Sequence, residues 1–260
     1  MRKGLLVRVG IDKTSGGWNA PVNPDNKRFI FIPIKDDPYN PSGRYIRGGK
    51  RTYDEVLRDL AKFASECGQS DHSCFRLPQH LHACPMHLDP DFLNLTYGER
   101  SQRARKLAQF GEDDFIAFYA GLRPLRGRDL IYGLIGLFVL AGPPLEVSAV
   151  PTSERLRNAH TRWLNVEKGD IVVRAKPEQS GLFERCIPIG DWYDKAYRVR
   201  KELLEEWGDL HVRKGWIQRS ANPPEFKCPD KFRKWLEKQH VQVDRAQYQV
   251  PRTVATGTEA

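Results

Sequence analysis

The apolar run from Leu130 to Leu140 constrains the fold of this chain more than any other segment. Leu, Ile, Phe and Val dominate the run, which is typical of buried β-strands, and Tyr132, Gly133 and Gly136 interrupt it. Its length falls well short of the ~20 apolar residues that a membrane-spanning helix needs. We therefore predict a buried strand and no membrane segment.

Predicted strands and helices follow one another irregularly along the rest of the chain. Runs of β-favouring residues predict strands, and apolar residues at helical spacing predict helices. The predicted strands are 4–11, 29–34, 114–121, 130–140, 169–175 and 181–189, and the predicted helices lie within 52–66, 101–110, 153–160, 196–207 and 229–239. This order is typical of an α+β fold rather than of a regular βαβ array. We expect a single mixed-sheet domain with flanking helices and long loops over residues 1–240, and a polar, flexible tail over 241–260.

The formal net charge of +9 indicates a polyanionic partner. Lys and Arg are spread along the chain, and phosphate neutralisation supplies most of the non-specific affinity of proteins for nucleic acids. The alternative is a basic surface with no binding role. The 5 cysteines are odd in number and scattered, which does not fit a disulfide framework. We expect a cytoplasmic protein that binds nucleic acid.

The loop after the first predicted strand is the first candidate site. Gly16 and Gly17 let backbone N–H groups approach a ligand closely, as phosphate-binding loops do, although the spacing is not that of a Walker loop. Asp12 is a candidate general base that activates water. Trp18 could stack on a nucleobase and Asn19 could bind its edge. The alternative is a structural turn in which Asp12 accepts hydrogen bonds from the loop backbone.

The segment from His87 to Asp91 is the second candidate site. Pro90 restricts the backbone, so that Asp89 and Asp91 are held at fixed angles. Two such carboxylates can share acid and base catalysis if their pKa values differ. His87 is a candidate catalytic residue with them, and Tyr97 is a candidate substrate contact. The alternative is a turn or a helix cap, which an Asp-Pro pair often forms.

Cysteines and histidines cluster between Cys67 and His87, and side chains of these types suit zinc. Their spacing does not, because the gaps are irregular and no Cys-x-x-Cys pair occurs. We expect no metal and no other cofactor, with structural zinc as the alternative. The chain also lacks the dinucleotide and Walker motifs that a nucleotide cofactor would require.

Aromatic and basic residues elsewhere are candidates for contacts with nucleic acid. Tyr119 and Arg123 end a predicted strand, where they could hold a flipped base and a phosphate, although an ordinary strand end explains them equally well. His160 is a candidate phosphate contact, but an ordinary histidine on a helix surface is an equally good interpretation. The basic candidates are Lys13, Arg123, His160, Arg162 and Arg219.

Several blocks together resemble the third nucleotide-modification-associated domain family, over nearly the whole chain to about Leu236. The blocks are loose individually and fairly specific jointly. They are Arg8 to Asp12 with Gly16, Gly17 and Pro21; His87 to Phe92 with Leu95 to Gly98; Phe118 to Leu122; Asn158 to Arg162; Val173 through Arg185; and Ile217 to Ser220.

The resemblance implies a role with modified DNA, because the family is associated with phage and bacterial loci that make modified bases or respond to them. The expected activity is that of a DNA glycosylase that acts on phage DNA in antiviral defence. Such an enzyme flips a modified pyrimidine, which can be a glucosylated one, out of the helix and then excises it. One alternative is a non-catalytic reader of modified DNA. Another is a base-modifying transferase, which would need a donor.

Overall fold

The computed structural model describes residues 2–36, 52–68, 76–162, 168–218 and 222–244. Its strands are β1 (Gly4–Arg8), β2 (Pro21–Val22), β3 (Thr96–Glu99), β4 (Phe115–Pro124), β5 (Ile131–Val139), β6 (Leu145–Glu146), β7 (Ile171–Arg174), β8 (Gly181–Tyr193), β9 (Ala196–Val199) and β10 (Val243–Asp244). Its α-helices are α1 (Val56–Glu66), α2 (Ser101–Leu107), α3 (Lys201–Trp207) and α4 (Pro229–Glu237).

A mixed sheet of seven strands forms the centre of the fold. The order β1-β4-β5-β8-β10 runs across it, with β2 against β4 and β9 against β8. The strands β1 and β2 lie parallel to β4, whereas β4, β5, β8 and β9 pair antiparallel with one another. Mixed strand directions and separate helices confirm the predicted α+β class.

Both faces of the sheet are buried along β1, β4 and β5, which is why these strands are apolar almost without alternation. In β4, Phe118 faces one hydrophobic cluster and Tyr119 faces the other. Helices α1 and α2 cover the first face, with Leu60 and Leu107 among their buried residues. Helices α3 and α4 cover the second face, where Trp207 of α3 packs against α4.

A second, smaller sheet lies on the first face and carries part of the candidate site. The order of its strands is β3-β7-β6, all antiparallel. Tyr97 of β3 meets Phe118 of β4 edge to face, with ring centroids 5.3 Å apart. The next residues of β3, Gly98 and Glu99, are therefore held close to the end of the central sheet.

Two predicted elements differ from the structure. Residues 29–34 form no strand, and Phe29 alone among them takes part in an isolated bridge, with Val22. Pro33 has no N–H to extend a ladder. In place of the helix predicted at 153–160, a 3₁₀ helix at Thr152–Arg157 ends at Asn158, whose backbone is extended, and a new turn begins at His160. No helix in the described ranges is long and apolar enough to cross a membrane.

Candidate active site

A cavity of about 610 Å³ opens where β1 ends, between the central sheet and β3. This volume lies within the range of roughly 300–1,000 Å³ that is usual for small-molecule sites. Charged side chains dominate its walls, which is unusual for a cavity that serves packing alone. The polar side chains that line it are Arg8, Asp12, Thr14, Ser15, His87, Asp89, Tyr97, Glu99, Arg100, Arg103 and His160.

Asp89 lines this cavity with a carboxylate that is almost fully buried. Its Oδ1 accepts hydrogen bonds from the Gly98 N–H and from Asn158 Nδ2, both at 2.8 Å. Its Oδ2 lies 3.6 Å from His160 Nε2. Burial raises the pKa of Asp89 to about 6, although His87, Asn158 and Gly98 oppose this shift. The carboxylate is thus mostly ionised at neutral pH and takes up a proton more readily than an ordinary aspartate.

Two histidines and their partners form a continuous hydrogen-bonded chain beside Asp89. His87 Nδ1 lies 3.1 Å from Asp36 Oδ1, and an N–H facing a carboxylate must donate to it. Arg100 Nε donates to His160 Nδ1 at 3.2 Å, so this nitrogen carries no proton. The Nε2 atoms of His87 and His160 lie 3.3 Å apart. Because the proton of His160 is on Nε2 and that of His87 is on Nδ1, the His160 Nε2–H donates to the His87 Nε2 lone pair.

These contacts leave His160 with one proton, on Nε2, so that its imidazole is neutral. Burial, with Arg100 as the next cause, lowers the pKa of His160 to about 4. The His160 Nε2–H is used in the contact with His87 Nε2, and Asp89 Oδ2 lies 3.6 Å from the same nitrogen, beyond hydrogen-bond distance. The chain from Asp36 to Arg100 is satisfied at every nitrogen without any further group.

A metal ion is the other group that this cluster could hold. One ligand atom from each of His87, Asp89 and His160 lies within 4.8 Å of the others, and a carboxylate behind His87 resembles the partners that orient metal-bound histidines. Coordination by His160 Nε2 would place a proton on Nδ1, however, where the Arg100 guanidinium donates. Arginine cannot accept in return, but Asp170 Oδ2 lies 3.3 Å from the same Arg100 Nε and is a second acceptor for its N–H. The hydrogen-bonded chain and a bound cation are therefore alternative uses of the same ring nitrogens.

Asp12 also reaches the cavity, but each of its oxygens has strong partners. Its Oδ1 accepts from the Thr14 N–H at 2.7 Å, from the Thr14 hydroxyl at 2.6 Å and from the Ser15 N–H at 2.8 Å. Its Oδ2 lies 2.9 Å from Arg8 Nη2. These contacts match the structural turn, and they also orient Arg8, whose Nη1 donates to the Gln218 carbonyl.

Tyr97, Glu99 and Arg103 form a connected group in the lining of the cavity. The Tyr97 hydroxyl donates to Glu99 Oε1, and Arg103 Nη1 lies 3.3 Å from the same oxygen. Burial raises the pKa of Glu99, whereas Arg103 and the Tyr97 hydroxyl oppose the rise. The guanidiniums of Arg8 and Arg103 therefore face one cavity, each with a carboxylate partner.

Gly98 allows the close approach of these groups. A Cβ at this position would lie 2.4 Å from His160 Cδ2 and 2.9 Å from Asn158 Oδ1. No side chain can occupy that space without moving His160. Packing therefore requires glycine at position 98, whereas any residue except proline would supply the N–H that donates to Asp89.

The structure brings together five residues predicted from the sequence that are far apart in the chain. They are Asp12, His87, Asp89, Tyr97 and His160, and all line the cavity.

Other predicted residues are used in the core. Asn19 Nδ2 donates to the Gly121 carbonyl at 2.7 Å, and the Tyr119 hydroxyl donates to the Ile217 carbonyl at 2.7 Å. Both side chains are buried, as is that of Trp18. These three residues do not line the cavity, because Trp18 and Asn19, in the loop before β2, and Tyr119, in β4, are directed into the packed interior.

Asp91 lies in a turn rather than in the cavity lining. Its Oδ1 accepts from the Leu93 N–H at 3.1 Å and the Asn94 N–H at 3.0 Å, and its Oδ2 accepts from Asn94 Nδ2 at 2.8 Å. Arg162, another predicted residue, is buried 3.9 Å from the same Oδ2. The two form a structural pair beside the site.

The remaining predicted residues lie at the surface or outside the described ranges. Lys13, Gly17 and Arg123 are exposed, and Gly16 is half-buried. None of the four lines the cavity. Arg219 falls outside the described residues.

The sequence interpretation missed Arg8, Asp36, Glu99, Arg100 and Arg103 as site residues. The spacing of Glu99 and Arg103, four residues apart at the start of a helix, was a detectable signal for an ion pair. Asp36 gave no such signal, since it reaches His87 from 51 residues away in the chain.

Comparison with known proteins gives one match. The model of a family described as nucleotide modification associated domain 3 matches residues 3–245. Searches of curated proteins and of solved structures found no match. The matched range includes every residue of the cavity lining.

Proposed function

This chain belongs to the nucleotide modification associated domain 3 family, and from that premise we propose that it is a DNA glycosylase. One modified pyrimidine nucleotide of DNA enters the cavity, where the bond between the base and its deoxyribose is hydrolysed. The modified pyrimidines include glucosylated ones. The observation that carries this proposal is Asp89, a carboxylate with a pKa of about 6 that lines a polar cavity. A base must leave the helical stack to reach such a site.

Asp89 is the proposed general base of the hydrolysis. Its Oδ2 takes a proton from water as the water oxygen bonds to C1′ of the deoxyribose. The C1′–N1 bond breaks and its electron pair leaves with the pyrimidine, which finally receives the proton held by Asp89. The products are a free base and an abasic site. The positive charge that develops on the sugar is stabilised by the nearby carboxylate, as in glycoside hydrolysis.

The cavity arginines have a proposed role in binding. Guanidinium groups donate in a planar fork that suits phosphate and carbonyl oxygens. Arg8 and Arg103 both line the cavity, and each is already held by a carboxylate, so they are fixed before the substrate arrives. One would contact the pyrimidine O2, where negative charge accumulates as the bond breaks, and the other the flanking phosphate.

Mass spectrometry of nucleosides and free bases tests the proposed reaction. The protein is incubated with phage DNA in which cytosine is replaced by glucosylated hydroxymethylcytosine, and with matched DNA containing ordinary cytosine. We expect free modified base and an equal number of alkali-labile sites from the first DNA only. Unchanged DNA recovered from a complex would indicate a reader instead, and a nucleoside of new mass would indicate a transferase.

A further inference from the structure

The hairpin formed by β8 and β9 carries an exposed tryptophan that the proposed reaction does not use. Trp192 is 56 % exposed and its neighbour Tyr193 is 39 % exposed. Large aromatic side chains left in water are a sign of an interaction surface, because burying them would be favourable.

A row of ring contacts connects Trp192 to the candidate active site. Its ring meets Tyr197 edge to face at 5.1 Å, and Tyr197 stacks on Tyr132 at 4.0 Å. The Arg8 guanidinium lies 5.2 Å from the Tyr132 ring, and Arg8 lines the cavity. Trp192 and Tyr197 are directly opposite in the hairpin register, so both point to the face of the hairpin on which Arg8 lies.

The hairpin is held rigidly in this position. The Tyr197 hydroxyl accepts the Leu130 N–H at 3.1 Å, and the Tyr197 N–H donates to Gln218 Oε1 at 3.2 Å. The same Gln218 accepts from Arg8 through its carbonyl. Trp192 is therefore an aromatic surface at a fixed place beside the cavity.

The charge around the hairpin matches a polyanion. Residues 191–200 and 213–216 contain five basic side chains against the two acidic ones, Asp191 and Asp194. Both acids are already paired with bases. Three of the basic residues, Lys195, Arg213 and Lys214, are exposed, whereas Arg200 is half-buried and Arg198 is buried. A flat apolar ring surrounded by excess positive charge suits a nucleobase on a phosphate backbone.

We propose that Trp192 stacks on a DNA base next to the nucleotide that enters the cavity. It thus stabilises the gap that the flipped nucleotide leaves in the helix. This inference rests on the proposed function, since only a flipped nucleotide leaves such a gap. It adds a DNA-contacting element from a part of the chain almost 100 residues from β3.

Binding of a duplex with 2-aminopurine beside the modified base tests this inference. We expect Trp192→Ala to weaken binding about 10-fold and to lose the quenching of 2-aminopurine, since stacking on one base contributes about 1–3 kcal/mol. Trp192→Phe should keep most of the affinity. Leu93→Ala, which removes another exposed apolar side chain, should bind like the unaltered protein. Thermal unfolding of each variant verifies that the exposed substitutions leave the fold intact.

The outcomes separate this inference from the proposed reaction. Equal binding and quenching by Trp192→Ala would overturn the stacking role even if base release is observed. If the unaltered protein releases no base but Trp192→Ala loses affinity and quenching, the stacking role stands and the glycosylase proposal fails. Loss of affinity in Leu93→Ala to the same degree would also overturn the inference, because the effect would not be specific to the hairpin.

Discussion

Two aspartates at the cavity differ in what their surroundings allow them to do. The sequence alone favoured Asp12 as the catalytic carboxylate and kept Asp89 as a rival. In the structure Asp12 has a guanidinium and three loop donors, whereas Asp89 accepts its two hydrogen bonds through Oδ1 and has a raised pKa. Distinguishing them required the positions of Gly98, Asn158 and Arg8, which sequence spacing does not reveal. We therefore assign Asp89 the catalytic role and Asp12 the positioning of Arg8.

Replacing Asp89 by Asn should stabilise the fold while reducing the activity. A carboxyl whose pKa rises from 3.8 to about 6 on folding contributes stability only while it is protonated, and that contribution is lost as pH rises from about 4 to 6. At pH 7.5 the variant should gain on the order of 1–3 kcal/mol in the free energy of unfolding. Urea denaturation measures this change.

Asp12→Asn is the matched control for that measurement. It leaves the Arg8 guanidinium without its carboxylate, so we expect a loss of about 1–3 kcal/mol of stability. Stabilisation by Asp12→Asn, or destabilisation by Asp89→Asn, would contradict the roles assigned to the two residues.

The rate of base release should depend on pH through Asp89. A protonated Asp89 cannot accept a proton from water, so the single-turnover rate should rise about tenfold per pH unit below its pKa and level off above about 6. Rates measured between about pH 4.5 and 8 test this, with far-UV circular dichroism at each pH to verify folding. A rate that is flat across pH 6 would exclude Asp89 as the general base.

At the scale of elements, β3 and the turns around it assemble the site. The sequence predicted the central strands well, because apolar runs such as Leu130 to Leu140 report burial directly. It predicted a continuous helix at 153–160, where the structure breaks at Asn158. That break places Asn158 and His160 against Asp89, and a tertiary hydrogen bond of this kind leaves no periodic signal in the sequence.

Gly98→Ala tests the close packing of β3. The added methyl would lie 2.4 Å from His160 Cδ2, so His160 must move away from Asp89. We expect a stability loss of about 1–3 kcal/mol and a fall in the base-release rate of at least tenfold. Gly142→Ala, at a glycine with open space around it, serves as the control. Unchanged kinetics in Gly98→Ala would show that the position of His160 does not matter.

At the scale of the whole molecule, the net charge of +9 indicated nucleic acid before any site was known. Family membership over residues 3–245 agrees with that expectation at the level of nucleotide modification. The charge is distributed over the surface, and it cannot identify which face meets DNA. The proposed DNA-binding face is instead identified by the positions of the cavity and of the β8–β9 hairpin.

Binding to DNA should weaken strongly with salt. Release of counterions from the phosphates predicts a linear fall of the logarithm of affinity with that of salt concentration, at least ~10-fold between about 50 and 200 mM. Arg123→Ala, at an exposed arginine, should reduce the slope by about one if Arg123 contacts a phosphate. Fluorescence anisotropy measures both slopes. Affinity independent of salt would contradict an electrostatic interface.

The proposal that Asp89 is the general base in the hydrolytic release of a modified base is tested most directly by the rate of that release in the Asp89→Asn variant. The single-turnover rate of free-base release from a modified duplex is measured by mass spectrometry for Asp89→Asn and for the unaltered protein at pH 7.5. We expect the variant to be slower by about 10²–10⁴-fold, the usual contribution of a general base, while its affinity for the duplex is retained. A rate within twofold of the unaltered protein would contradict the claim.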